Sequence, residues 1–177
     1  SFAKFRLEGR DAVSVLNRVC ANNVDVAAGR VVYTQWLNDR GGIEADLTVT
    51  RLSETAFMIV GGAETEVRDF YWLKRQIPDD AHCLLSNVTS SMGVLSVMGP
   101  KARDLLQSLT PADVSHAGFP FATSREIEFG YAIVRASRIT FVGELGWELF
   151  VPTEFVQHVY DRLLEAGEAV GLVHAGY

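Results

Sequence analysis

A strand–helix pattern that occurs twice at one spacing constrains this chain more than any other feature. Phe5-Arg-Leu-Glu-Gly-Arg-Asp-Ala with Leu16 matches Leu95-Ser-Val-Met-Gly-Pro-Lys-Ala with Leu106, at an offset of 90 residues. The stretch Phe57 to Lys74 is echoed by Trp147 to Leu164 at the same offset. In the first copy, Ala3–Leu7 alternates as a half-buried strand does. Asp11 stands at an N-cap position, and Ala12, Val15, Leu16 and Val19 fall on one helical face. Arg30–Asn38 and Ile43–Leu52 read as strands flanking the turn Asn38-Asp39-Arg40-Gly41-Gly42. Ala56–Val60 is a further strand, punctuated by Gly61-Gly62. A helix from about Glu64 to Gln76 then presents Val67, Phe70, Tyr71 and Lys74, and Pro78 ends it.

The second copy follows the same order. Gly93–Met98 reads as a strand, and Gly99-Pro100 opens a helix with Ala102, Leu105, Leu106 and Leu109 on its apolar face. Pro111–Ser124 is a loop, and Arg125–Thr140 a hairpin turning near Gly130 or at Ala136-Ser137. Trp147–Val151 is a strand. Thr153 caps a last helix with Phe155, Val156, Val159, Tyr160 and Leu163 on its face, and Gly167 closes it. The predicted fold is α+β. It consists of two ferredoxin-like β-α-β-β-α units with antiparallel sheets, over 1–90 and 91–177, in a pseudo-twofold relation. A crevice between such halves is a common place for a ligand.

At 177 residues and 48% hydrophobic, the chain has enough apolar material to form a core without metals or disulfides. A net charge of −6 argues against general nucleic-acid binding. No apolar run approaches the roughly 20 residues of a membrane helix. Cys20 and Cys83 lie in apolar stretches without metal spacing, as buried free thiols of a reducing compartment do. His82, His116, His158 and His174 are scattered and show no metal pattern, and His158 is expected to be exposed. The aromatic run Phe70-Tyr71-Trp72 reads as core. The chain begins at Ser1 without Met and ends inside the run Gly171–Tyr177, which reads as a piece of a larger protein.

Two stretches can carry chemistry. On Ile43–Thr50, alternation places Ile43, Ala45, Leu47 and Val49 on one face and Glu44, Asp46, Thr48 and Thr50 on the other. A two-residue turn would set Tyr33 opposite Asp46, and a four-residue loop shifts the pairing by one step but keeps both on one face. Such a face is either solvated or a ligand platform. The second stretch is Gly143-Glu144-Leu145-Gly146-Trp147-Glu148-Leu149. Trp147, Leu149 and Val151 share one strand face, so Glu148 points to the other with Phe150. A carboxylate in that setting matches a ligand with two parallel N–H donors, such as a 2-amino-4-oxo-pyrimidine edge.

Three ordered motifs carry a resemblance to a known family. They are Tyr33-Thr-Gln-Trp-Leu-Asn-Asp-Arg-Gly-Gly-Ile-Glu-Ala-Asp46-Leu-Thr-Val, Gly93…Met98-Gly-Pro-Lys-Ala-Arg-Asp-Leu-Leu106 and Gly143-Glu-Leu-Gly-Trp-Glu-Leu149. Together they resemble the folate-binding aminomethyltransferase family of the glycine cleavage system T-protein. The likeness is greater to the C-terminal transferase part of dimethylglycine and sarcosine dehydrogenases or oxidases. The resemblance implies a tetrahydrofolate pocket and one-carbon transfer giving 5,10-methylenetetrahydrofolate. FAD would sit in a separate domain of the full-length protein, and an N-methyl amine or its iminium would be the other substrate. It implies that Asp46 is the essential aspartate near folate N5, that Glu148 holds the pterin, and that Tyr33 contacts folate. Phe141 falls at a pocket tyrosine, Gly62 at a folate-contacting Asn of T-proteins, and Trp147 within the pterin motif. Ala45 stands where T-proteins have the first of two aspartates, which favours the dehydrogenase-linked branch. No metal is implied. The location implied is cytoplasmic, or the mitochondrial matrix in a eukaryote. The family's C-terminal barrel, with a folate-binding Arg, would follow residue 177, and this chain alone is expected to be inactive. The alternatives are a T-protein working with a lipoyl carrier, and a folate-binding module without catalysis.

Overall fold

A computed structural model describes residues 2–175, so Gly176 and Tyr177 of the terminal run lie outside the described residues. The chain divides between Thr89 and Ser90 into two units. The first contains β1 (Phe2–Glu8), α1 (Ala12–Val19), β2 (Val31–Leu37), β3 (Ile43–Arg51), β4 (Ala56–Gly62), α2 (Glu66–Gln76) and β5 (Leu84–Asn87). Its sheet runs β2-β3-β4-β1-β5, antiparallel throughout. The second contains β6 (Met92–Met98), α3 (Ala102–Leu109), β7 (Ser124–Phe129), β8 (Ala132–Ser137), β9 (Gly146–Pro152) and α4 (Val156–Gly167). Its sheet runs β6-β9-β8-β7, again antiparallel.

The repetition in sequence is a repetition of register. Phe2 pairs with Gly62 across β1 and β4, and Met92 pairs with Pro152 across β6 and β9. Each pair in the second unit is the first moved on by 90 positions. The same offset relates the starts of α1 and α3 and of α2 and α4. In the first unit β1, β3, β4 and β5 form the split β-α-β arrangement of a ferredoxin-like sheet, and β2 is an added edge strand. The second unit has no counterpart of β5 among its described residues.

Packing follows the alternation of the strands. Ala3, Phe5 and Leu7 of β1 join Leu47, Val49, Phe57 and Ile59 beneath the apolar face of α1, Ala12, Val15, Leu16 and Val19. Leu105 and Leu106 of α3 meet Trp147, Leu149 and Val151 of β9 in the same way. Helices therefore cover one face of each sheet, and the residues on the other face are free of that core.

Local signals misplace several details. A one-turn 3-10 helix over Ala63–Thr65 precedes α2 and sets its phase. Leu73 turns into the core, while Val67, Tyr71 and Lys74 of the expected face are exposed. Of the aromatic run, Trp72 stacks on Trp36 at 5.3 Å and Phe70 meets Phe5 edge-on, but Tyr71 faces solvent. Asp11 occupies the N-cap position of α1 without capping it, because its carboxylate accepts the His82 N–H at 2.7 Å. Gly61-Gly62 continues β4 instead of ending it. Thr153 opens another 3-10 turn, and its hydroxyl donates to the Ser90 carbonyl. The last helix does end at Gly167, and the 3-10 turn that follows it ends at left-handed Gly171. The hairpin of β7 and β8 turns at Gly130, the first of its two expected places. The edge strand β5 is absent from the sequence reading because Leu84-Leu85-Ser86-Asn87 has no alternation, and pairing with β1 alone makes it a strand. Both cysteines are free, and burial pushes the Cys20 thiol up to about 11. Among the described residues no helix is long and apolar enough to cross a membrane.

Gly9 and Gly99 test the repeat. Both have positive φ, at 140° and 127°. A Cβ on Gly9 would lie 2.1 Å from the His82 carbonyl oxygen, whereas one on Gly99 would meet nothing within 4 Å. Gly99→Ala should cost about 1–2 kcal/mol from backbone strain alone, and Gly9→Ala about 3 kcal/mol or more, as read by urea denaturation.

Candidate functional site

The hairpin of β2 and β3 builds the first group. Asn38 organises its turn, accepting from the N–H groups of Arg40 and Gly42 at 3.0 and 2.9 Å and donating to Glu44 at 2.8 Å. The longer connection and a bulge between Trp36 and Leu37 displace the register from the two-residue expectation. Tyr33 pairs with Thr48, and Gln35 pairs with Asp46, so Tyr33 and Asp46 are diagonal neighbours instead of direct partners. They stay on one face, as the period of two requires. The Tyr33 hydroxyl donates to Asp46 Oδ2 at 2.9 Å, and Gln35 Nε2 donates to Oδ1 at 2.8 Å. Each carboxylate oxygen thus has one side-chain donor, and the group itself stays exposed. The bond to Asp46 holds the Tyr33 phenol above its ordinary range, and desolvation adds to it. Tyr33 is 60% exposed, leaving its ring available as a platform. Gln35 is the member that sequence reasoning missed. Its signal was its place two residues after Tyr33 on an alternating strand.

The second group is Glu148 on β9. Ser96 of β6 and Ser137 of β8 flank it in the register, and the Ser137 hydroxyl is engaged with Ser124 at 2.9 Å. Glu148 is 6% exposed and has no hydrogen-bond or ion-pair partner among the described residues. Burial raises its carboxyl above the usual range of 4.5. A desolvated carboxylate without a donor is a costly arrangement, and a ligand presenting paired N–H groups relieves it.

The other expected contacts divide. Phe141 stands 89% exposed in the connection before β9, where its ring can pack on a ligand. Gly62 ends β4, and the Glu64 carboxylate lies over it, 2.6 Å from where a Cβ would stand. The expected place of Trp147 among ligand contacts is corrected. It has 0% exposure, with Phe119 edge-on at 6.0 Å and the guanidinium groups of Arg103 and Arg138 over its ring. Its side chain belongs to the core face of β9, and its part is to hold the strand that carries Glu148. His158 is also not exposed as expected; it is partly buried and stacks on Tyr131 at 3.7 Å. Among the described residues no three His, Cys, Asp or Glu side chains gather as a metal site.

The family model described as the GCVT N-terminal domain matches residues 1–177. Mitochondrial sarcosine dehydrogenase of Mus musculus is 38% identical over 99% of this chain and 21% of its own length. The mitochondrial pyruvate dehydrogenase phosphatase regulatory subunit of Mus musculus is 34% identical over 100% of this chain and 20% of its own. Among solved structures, the glycine cleavage system aminomethyltransferase T of Bartonella henselae superposes with a TM-score of 0.79 and 26% identity, over 92% of this chain and 43% of its own. The chain thus spans about a fifth of the curated relatives named here.

Glu148→Gln tests the buried carboxylate. A carboxyl whose pKa is raised by folding stabilises the fold below its unfolded value and loses that contribution as pH rises through the native value. The variant should therefore melt roughly 2–4 °C above the parent at pH 7, with the gain vanishing towards pH 4, in thermal scans across that range.

Proposed function

Because the chain belongs to the GCVT N-terminal domain family, we propose that it is the tetrahydrofolate-binding, one-carbon-transfer part of a dimethylglycine or sarcosine dehydrogenase-like enzyme. The observation that supports this most is the unpartnered, buried carboxylate of Glu148. The group fits a reduced pterin, whose ring N–H and 2-amino group form a parallel donor pair of the kind a carboxylate binds in two-pronged fashion. Tetrahydrofolate supplies the nucleophilic nitrogen that takes up the one-carbon unit.

The residues of this chain position and balance charge. Glu148 binds the amino-pyrimidine edge and sets the orientation of the ring. Tyr33 and Gln35 hold the Asp46 carboxylate in one rotamer through both of its oxygens. Asp46 stabilises positive charge at N5 as the new C–N bond forms, and accepts the proton released there. Tyr33 and Phe141 each expose a ring on which an aromatic ligand can pack. The iminium carbon that reacts comes from oxidation of an N-methyl amine, assigned to a flavin domain of the full-length protein. Mitochondrial relatives make the matrix a fitting compartment in a eukaryote.

A second reading has its own support. A relative named as a regulatory subunit matches along the whole chain, which fits a folate-binding module without catalysis. Asp46 separates the two, since binding needs Glu148 whereas transfer also needs Asp46. In the full-length protein, Asp46→Asn should leave amine oxidation in place and cut the yield of 5,10-methylenetetrahydrofolate about 10²-fold, with formaldehyde released instead. Unchanged methylene-folate yield would remove Asp46 from the reaction.

A further inference from the structure

Two serines flank Glu148, and their surroundings differ. The register row runs Ser96–Glu148–Ser137–Ser124 across β6, β9, β8 and β7. Val97, Trp147, Leu149 and Ala136, next to these residues along their strands, belong to the core beneath the helices. Alternation therefore puts the whole row on the opposite face. On the β8 side, Ser137 is 1% exposed and its hydroxyl donates to Ser124, which is buried as well. That flank is closed. On the other side, Ser96 stands exposed on the edge strand β6, and its hydroxyl has no partner among the described residues.

Direct cross-strand partners hold their Cβ atoms about 4.5–5.5 Å apart. A ligand group held by the Glu148 carboxylate is then within reach of the Ser96 hydroxyl as well. Ser96 also marks the open side of the row, since Glu148 is largely buried and Ser137 and Ser124 close the far side. Met98 completes the corner, two residues along β6 on the same face as Ser96. It pairs with Gly146, and its Sδ stands where a Cβ on Gly146 would be. The missing side chain lets a thioether lie beside Glu148, and such a group packs well against an aromatic ring. A carboxylate, a free hydroxyl and a polarisable apolar surface thus share one accessible corner of the second sheet.

We propose that Ser96 is a specificity-determining residue of the Glu148 site, its hydroxyl accepting the outer N–H of the 2-amino group of a reduced pterin. The proposal rests on the folate reading above. A carboxylate that takes the ring N–H and one amino N–H leaves the other amino N–H beside it, directed outward. Without an acceptor that donor loses its water on binding and gains nothing in return. A hydroxyl accepts it and still has its own proton to donate to the adjoining ring nitrogen. Glu148 supplies the charge for the edge, and Ser96 reads whether the amino group is complete.

The test measures binding of folinic acid to the full-length protein by calorimetry, alongside a folate analogue with a methyl group in place of the 2-amino group. The parent should favour folinic acid. Ser96→Ala should weaken folinic acid about fivefold, the worth of one neutral hydrogen bond, and leave the methyl analogue unchanged, so the preference narrows by the same factor. Ser96→Thr keeps the hydroxyl and should restore most of the preference. Because Ser96 is exposed, the melting temperature of both variants should hold within about 2 °C. Three outcomes overturn the proposal. If the parent fails to bind folinic acid, the folate reading falls and takes this role with it. If the parent binds and Ser96→Ala stays within about twofold for both ligands, Ser96 alone is wrongly assigned. If Ser96→Ala weakens both ligands equally, its hydroxyl does not read the 2-amino group.

Discussion

The antiparallel pairing of β1 with β4, repeated by β6 with β9, is the constraint on which the rest depends. Both pairs keep one register across a displacement of 90 residues. Each register decides which side chains meet the helices. A slip of one residue would send Phe5 and Leu7, or Trp147 and Leu149, out of the core, and would bring Lys4 or Glu148 into it. The burial of so many apolar groups on the helix face holds the register, and the polar residues on the other face are carried along with it.

The two carboxylates that result have different environments. Asp46 is exposed and accepts from Tyr33 and Gln35, so its charge is supported by donors and water. Glu148 is largely buried among strand neighbours and has no donor among the described residues. Groups of one chemical type separated in this way serve different tasks. A solvated, held carboxylate suits a step in which charge develops and a proton moves. A dry one suits recognition, because its binding strength comes from donors that only the right ligand brings.

Trp147 shows why a motif residue need not touch a ligand. Its indole fills the core of the second unit, and adjacent arginines reach over it to hold the loop before β7 through the carbonyls of Val114 and Phe119. Fixing Trp147 fixes Glu148, the next residue on the opposite face. The pair works as an anchor and a contact, and alternation along the strand joins them.

Much of this was present in the sequence. The order of elements, the apolar faces of α1 and α3, and the shared face of Tyr33 and Asp46 follow from periodicity, because they depend on residues close together in the chain. The three motifs carried the family for the same reason. Only the tertiary structure decided the pairing of Tyr33 with Thr48, since the bulge at Trp36 and the Asn38 turn set it. It alone made a strand of Leu84–Asn87, turned α2 to bury Leu73, and enclosed Glu148 and Lys4. Burial and register are properties of neighbours brought from far along the chain. A lysine or glutamate in an alternating strand therefore reads as solvated until the fold removes its water.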